Sequence, residues 1–312
     1  MLDAVRDPKT LNFDADRLGR IRTWMSRYVD AGKLPGALTL VARGGEIAYL
    51  DQVGVRDVAS GAPWTQDTIL RFYSMTKPIT SVALMMLYEE GGFGLDDPLD
   101  VYIPAFRDVT VLAPDAERID QVVPAPAPPT LHQLLTHTSG FIYGFNGGIL
   151  GEAYDAQKLA FRPRSGGLER MVSALAEMPL SFAPGSRWSY GVSTDVVGRV
   201  VEIISGQSLD SFFRERILGL LGMTDTAFDI ADDKLARFAS LYTPGEDGPM
   251  ALVEDTSNTA YRAGDVSTFS GGGGLLSTIG DYWRFTEMLR RGGELDGVRL
   301  LGPRTVSYMA QN

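Results

Sequence analysis

Ser74 and Lys77 stand one helical turn apart in the segment Phe72-Tyr73-Ser74-Met75-Thr76-Lys77-Pro78. Proline has no N–H and is tolerated only in the first helical turn, so Pro78 forbids a helix that starts before about Ser74. The hydroxyl therefore sits at the N-terminal end of the helix and Lys77 projects from the same side. Backbone N–H groups without helical partners and the positive end of the helix dipole meet there, a setting that can hydrogen-bond an oxyanion. An amine shielded enough to lose its proton can take the proton of Ser74, or hold the group that does. The chemistry is nucleophilic acyl transfer. A capping serine followed by a solvated lysine would use the same residues, and Ser-x-x-Lys alone does not separate the two. The dipole opposes a lysine in the first turn by about 0.3–1 kcal/mol, so something else is expected to keep Lys77 there.

Other chemistries find less support. The chain has no cysteine, which removes disulfides, thiolate zinc sites and thiol nucleophiles. No Gly-x-Ser-x-Gly elbow occurs, and the two histidines, His132 and His137, lack the four-residue spacing of His-Glu-x-x-His. Both histidines read as structural, and neither a metal nor an organic cofactor is called for. Gly271 to Gly274 is not followed by Gly-Lys-Ser/Thr, so it is no phosphate loop. It reads as close backbone approach beside a site, or as a plain loop. A formal net charge of −10 argues against nucleic acid or an anionic membrane as partner and leaves a small neutral or cationic ligand. No run approaches the roughly 20 apolar residues of a membrane helix, and residues 1–22 carry no secretory apolar core. A cytoplasmic protein is expected.

The elements that would position these residues follow from patterning. At 44% apolar and 22% charged the chain has globular composition. Asp14 caps a helix with Leu18, Ile21, Met25 and Tyr28 on one face, stopped by Gly32, Pro35 and Gly36. Ala37 to Arg43 and Glu46 to Val53 flank Gly44-Gly45 as a tight hairpin. From Thr65 onward helices dominate: Leu131 to Thr136 behind a Thr130/Gln133 capping box, Asp195 to Ser205 closed by Gly206, Leu209 to Leu221, and Asp281 to Leu289 behind Thr278. Val298 to Leu300 is a single later β-like run, followed by a helix from near Pro303. A lone hairpin is marginal in water. The chain is therefore expected to continue beyond Asn312 in the natural protein, of which this would be the N-terminal portion.

Four segments in order carry a family resemblance: Ser74-Met75-Thr76-Lys77-Pro78, Leu134-Leu135-Thr136-His137-Thr138-Ser139-Gly140, Pro184-Gly185-x-x-Trp188-x-Tyr190 and Gly271-Gly272-Gly273-Gly274-Leu275. From about residue 14 to its end the sequence resembles the serine β-lactamase and penicillin-binding-protein superfamily, and within it the class C β-lactamase-like family VIII carboxylesterases. The resemblance implies an α/β fold of α+β type, with an antiparallel sheet flanked by helices. Residues 1–64 and 270–312 would form the sheet-containing domain, without its C-terminal strands, and residues 65–269 a mainly helical region that carries Ser74, Lys77 and Tyr190. It also implies that Tyr190 relays the proton between nucleophile and leaving group, and a phenol beside an ammonium suits that work. Phe141, Tyr143 and Trp188 are placed to line an acyl pocket, with core packing as the other use for each.

Two departures bear on activity. Class C β-lactamases carry Tyr-x-Asn where this chain has Tyr190-Gly191-Val192, which disfavours lactam turnover. The late Lys-Thr-Gly or Trp-Gly-Gly triplet, which supplies one of two oxyanion donors, is absent before Asn312, and losing one such donor costs about a hundredfold to a thousandfold in rate. The expected activity is hydrolysis of short-chain carboxylic esters through an acyl-enzyme on Ser74, the only partner being the small ester. The alternatives are a β-lactamase or D-amino-acid peptidase, and a non-catalytic penicillin-binding-like protein.

Overall fold

The computed structural model describes residues 2, 4–159, 163, 166–245, 248 and 250–311. Helix α1 (Ala15–Asp30) opens on Asp14, whose carboxylate accepts the backbone N–H groups of Asp16 at 2.9 Å and Arg17 at 3.1 Å. It lies against strands β1 (Gly36–Arg43) and β2 (Glu46–Asp57), an antiparallel pair turned at Gly44 and Gly45, both at positive φ as a tight hairpin requires. Strand β3 (Ala62–Pro63) pairs with the far end of β2 and completes a three-stranded sheet. Strand β4 (Leu70–Arg71) leads into the Ser74 segment and helix α2 (Thr76–Glu89).

Beyond α2 come β5 (Thr110–Leu112) paired with β6 (Val122–Pro124), then α3 (Leu131–Leu135), α4 (Gly148–Ala156), α5 (Leu168–Ala176), α6 (Ser193–Ser205) and α7 (Leu209–Phe213). Strands β7 (Leu241–Thr243) and β8 (Ala251–Glu254) pair next, and β9 (Leu276–Ser277) returns to pair with β4. Helix α8 (Ile279–Arg290), the hairpin β10 (Glu294–Leu295) with β11 (Val298–Arg299), and α9 (Pro303–Met309) end the chain. No described helix is long and apolar enough to cross a membrane.

Sequence pattern and structure part at two places. The sheet takes all three strands from residues 36–63, whereas Val298–Arg299 pairs locally with Glu294–Leu295 rather than joining it. The helix read over Leu209 to Leu221 becomes a π-turn from Arg214, where Gly219 N–H reaches the Arg214 carbonyl at 2.9 Å.

The main core lies among the helices, with α2 and α6 packed side by side at its centre. Val82, Ala83 and Leu84 of α2 and Val196, Val197, Val200 and Val201 of α6 are wholly buried. The four-glycine loop runs between the starts of these helices. Its backbone approaches so closely that a β-carbon on Gly271 would lie 2.6 Å from the Thr194 carbonyl oxygen and 2.9 Å from the Thr80 methyl. Gly271→Ala is therefore expected to force α2 and α6 apart, lowering stability by about 1–3 kcal/mol. Urea denaturation measures this, and an unchanged midpoint would refute the close contact.

Candidate active site

The Ser74 segment is presented by strain and then fixed by packing. Tyr73, directly before Ser74, has φ 43°, a left-handed conformation that a bulky residue adopts only when its surroundings impose it. A short 3₁₀ turn, Tyr73–Met75, runs straight into α2 and leaves Ser74 exposed at the helix tip. The glycine loop staples this tip from behind. Phe72 N–H donates to the Leu275 carbonyl at 2.9 Å, Leu275 N–H to Thr76 Oγ1 at 3.1 Å, and Thr80 Oγ1 to the Gly271 carbonyl at 2.7 Å.

Lys77 lies half-buried behind Ser74 with all three ammonium donors engaged. Nζ donates to the Gly272 carbonyl at 2.7 Å, to Tyr143 Oη at 3.1 Å and to Ser74 Oγ at 3.3 Å. It also sits 4.7 Å from the ring centroid of Tyr190 and 5.5 Å from that of Tyr143. These contacts are the interaction that a lysine in an opposing dipole requires. Tyr190 Oη donates to Ser74 Oγ at 2.6 Å across a separation of 116 residues. Serine, amine and phenol thus meet at one point.

Tyr190 arrives through two strands of loop laid alongside each other. Helix α3 ends in a Schellman turn, with His137 N–H on the Leu134 carbonyl (3.3 Å) and Thr138 N–H on the Gln133 carbonyl (2.9 Å). His137 takes the left-handed position at φ 56°, where glycine is usual. Its carbonyl holds the N–H of Ser189 at 2.9 Å and its ring packs 5.0 Å from that of Tyr190. Burial, and secondarily the charge of Lys77, drives the imidazole down from its ordinary 6.5 to about 4. His137 is thus neutral near pH 7, with Nδ1 buried and unpartnered among the described residues.

The three residues read as pocket-lining separate. Phe141 is only 1% exposed and packs edge-on against Phe106 in the core, so it does not line the cleft. Tyr143 does more than line it, since its hydroxyl contacts Lys77; burial keeps this phenol strongly raised and hence protonated. Trp188 is 64% exposed at the lip, its ring parallel to that of Tyr190. Phe145, 75% exposed, stacks on Tyr143 at 4.9 Å. Phe145, Tyr143, Tyr190 and Trp188 form a continuous row of rings with centroid steps of 4.9, 5.3 and 6.4 Å. Val192 is wholly buried in the core and offers the cleft nothing.

Two residues of this surround escaped the sequence reading. Phe145 belonged to no motif. Asp195, in the first turn of α6, is 0% exposed and pushed upward by burial, against the lowering effects of Ser270, the Gly272 N–H and the Lys77 charge. Its only sequence signal was an acid where helix N-termini favour one. Among the described residues no group of three or more histidine, aspartate or glutamate side chains is placed to hold a metal ion.

Comparison with known proteins gives three consistent findings. The beta-lactamase family model matches residues 21–312. Among curated proteins, the Mycobacterium tuberculosis protein Rv1367c is 39% identical over 90% of this chain and 68% of its own length. Esterase EstB of Burkholderia gladioli is 33% identical over 93% of this chain and 74% of its own. Among solved structures, EstCE1, a hydrolase with promiscuous acyltransferase activity, superposes with a TM-score of 0.75 at 25% identity, over 93% of this chain and 75% of that one.

The depressed His137 carries a prediction for stability. Between about pH 6.5 and 4 the unfolded chain binds a proton at this site that the folded chain does not, so stability falls as pH drops through that window. Thermal melts of wild type and His137→Gln across pH 7 to 4.5 should diverge, the variant losing less. Parallel curves would show that His137 does not carry the effect.

Proposed function

The chain belongs to the beta-lactamase family and is a serine hydrolase, esterase or acyltransferase of that fold, and from that premise we propose that it hydrolyses short-chain carboxylic esters through an acyl-enzyme on Ser74. The observation that carries the reading is the convergence on Ser74 Oγ of Tyr190 Oη at 2.6 Å and Lys77 Nζ at 3.3 Å. When the Lys77–Tyr190 pair is one proton short, the three acceptors around Nζ favour leaving the ammonium intact. The phenolate oxygen of Tyr190 is then the base nearest the hydroxyl.

Ser74 Oγ bonds to the ester carbonyl carbon as its proton passes to Tyr190, and the carbonyl electrons move to an oxyanion facing the N–H of Ser74 at the helix tip. Collapse breaks the bond to the alcohol oxygen, which takes the proton from Tyr190. Water then attacks the acyl carbon, gives a proton to Tyr190, and Ser74 Oγ leaves and recovers it. No step needs a cofactor.

Esters are favoured over lactams because Val192, at the place of the class C amide, faces the core. The apolar part of the substrate meets Trp188 and Phe145, two exposed rings that flank Tyr190 and Tyr143. A second reading, acyl transfer to an alcohol, is supported by the acyltransferase activity named for EstCE1.

A fluorophosphonate probe should add one adduct to the intact mass, mapping to Ser74 and absent from Ser74→Ala. Tyr190→Phe should lower kcat/KM for p-nitrophenyl butyrate about a hundredfold or more. An adduct at another residue, or wild-type turnover by Ser74→Ala, sinks the proposal. Nitrocefin turnover exceeding ester turnover would favour the lactamase alternative. For the rim, Trp188→Ala should raise KM for butyrate about threefold to tenfold while changing acetate less; equal effects on both would remove Trp188 from the binding surface.

A further inference from the structure

Among the described residues Asp195 is the one fully buried carboxylate in contact with the glycine loop, and the proposed mechanism does not use it. One of its oxygens, Oδ1, accepts a short hydrogen bond from Ser270 Oγ and the Gly272 N–H at 3.1 Å. The other, Oδ2, has no hydrogen-bond partner among the described residues and lies against the α-carbon of Gly272, close enough that any side chain there would collide with it. A buried carboxylate with a free oxygen is expensive, so its retention calls for a compensating interaction. The compensation lies on the far side of Gly272. The residue whose N–H binds Asp195 is the residue whose carbonyl binds Lys77 Nζ at 2.7 Å, the shortest of the three ammonium contacts. Asp195, the two peptide groups of Gly272 and the Lys77 ammonium are thus joined by successive hydrogen bonds.

We infer that Asp195 is a positioning residue for Lys77: it anchors Gly272 so that the carbonyl holds the ammonium against Ser74, and its charge supports the ammonium through that loop. The inference rests on the proposed role of Lys77. Helix α6 thereby serves the site from both sides of its start. Tyr190, just before the helix, reaches the hydroxyl, and Asp195, in its first turn, holds the amine's anchor, stabilised by the helix N-terminus. The other titratable groups around Lys77 are Tyr143, Tyr190 and His137; burial keeps the Tyr143 phenol protonated and His137 neutral near pH 7. Asp195 is the acidic side chain of this surround, and the Lys77 charge favours its ionised form.

The test compares Asp195→Asn and Ser270→Ala with wild type in p-nitrophenyl butyrate hydrolysis from pH 5 to 10, with thermal melts to establish folding. Asp195→Asn keeps the size and an acceptor for Gly272 but removes the charge. It should lower kcat at least about tenfold, leave KM within about twofold, and move the alkaline limb of the kcat profile to lower pH, because an ammonium without its counter-charge gives up its proton more readily. Ser270→Ala removes one donor and keeps the charge; it should lower kcat less and leave the limb in place. A folded Asp195→Asn with wild-type kcat and profile overturns the inference, as does a loss of kcat with no movement of the limb. Should Asp195→Asn fail to fold, Ser270→Ala decides: reduced kcat at unchanged KM supports the role and unchanged kcat overturns it. Ser74→Ala measured alongside keeps the two readings apart. Turnover that survives it sinks the assignment of the nucleophile, whereas turnover lost with Ser74 but indifferent to Asp195 sinks only the role of Asp195.

Discussion

An ammonium in the first turn of a helix is opposed by the helix dipole, and the rest of this site follows from how that opposition is met. Lys77 is held by a carbonyl, a phenol and the hydroxyl of Ser74, one for each N–H. None of the three is local to its helix turn except Ser74. The carbonyl comes from a loop nearly two hundred residues on and the phenol from the segment after α3. Long-range architecture is thus needed to keep a single side chain where it is, and the same architecture fixes Ser74 because both stand on one helical turn.

The glycine run is what lets the carbonyl arrive. At Gly271 and Gly272 there is no room for a β-carbon between α2 and α6, because a helix carbonyl and a carboxylate occupy that space. The loop can therefore pass at backbone distance from both helices. It accepts from Thr80 on one side, accepts from Lys77 on the same side, and donates to Asp195 on the other. The mouth of the site obeys the opposite rule. There, Tyr73, Met75, Phe145 and Trp188 remain exposed although burial of each would be favourable, so the apolar rim is open to whatever enters.

The sequence made the helix tip legible because Pro78 limits where a helix can start, and a Ser-x-x-Lys spacing then leaves little freedom. The N-terminal hairpin and the caps at Asp14, Thr130 and Thr278 were equally readable, since each is decided by neighbours a few residues away. Tyr190 was not readable that way. Nothing local distinguishes one tyrosine among twelve, and only its place in a family pattern brought it forward. Asp195 and Phe145 were missed for a related reason: what each does depends on which distant backbone passes beside it. No local pattern separates Phe141 from Tyr143: that the first packs against Phe106 in the core while the second reaches Lys77 is decided by the distant segments each one meets. His137 reads as structural from its spacing to His132, and it lies against the ring of Tyr190 in a backbone conformation that ends α3.

The exposed rim also bears on why esterases and acyltransferases occur together among the relatives. In the proposed mechanism the proton that Tyr190 takes from Ser74 is delivered to the departing alcohol, so the phenol must reach that oxygen while the alcohol is still bound. By microscopic reversibility the same contact removes a proton from an alcohol attacking the acyl-enzyme. Water and alcohol then compete at one position, and the outcome is set by residence rather than by a different set of catalytic groups. An apolar lip that retains an alcohol raises its effective concentration at the acyl carbon, whereas water gains nothing from aromatic rings. On the proposed mechanism the balance between hydrolysis and transfer would be located in Trp188 and Phe145, outside Ser74, Lys77 and Tyr190. Substitutions at the rim would then move that balance without touching the groups to which the proposed mechanism assigns bond making and breaking.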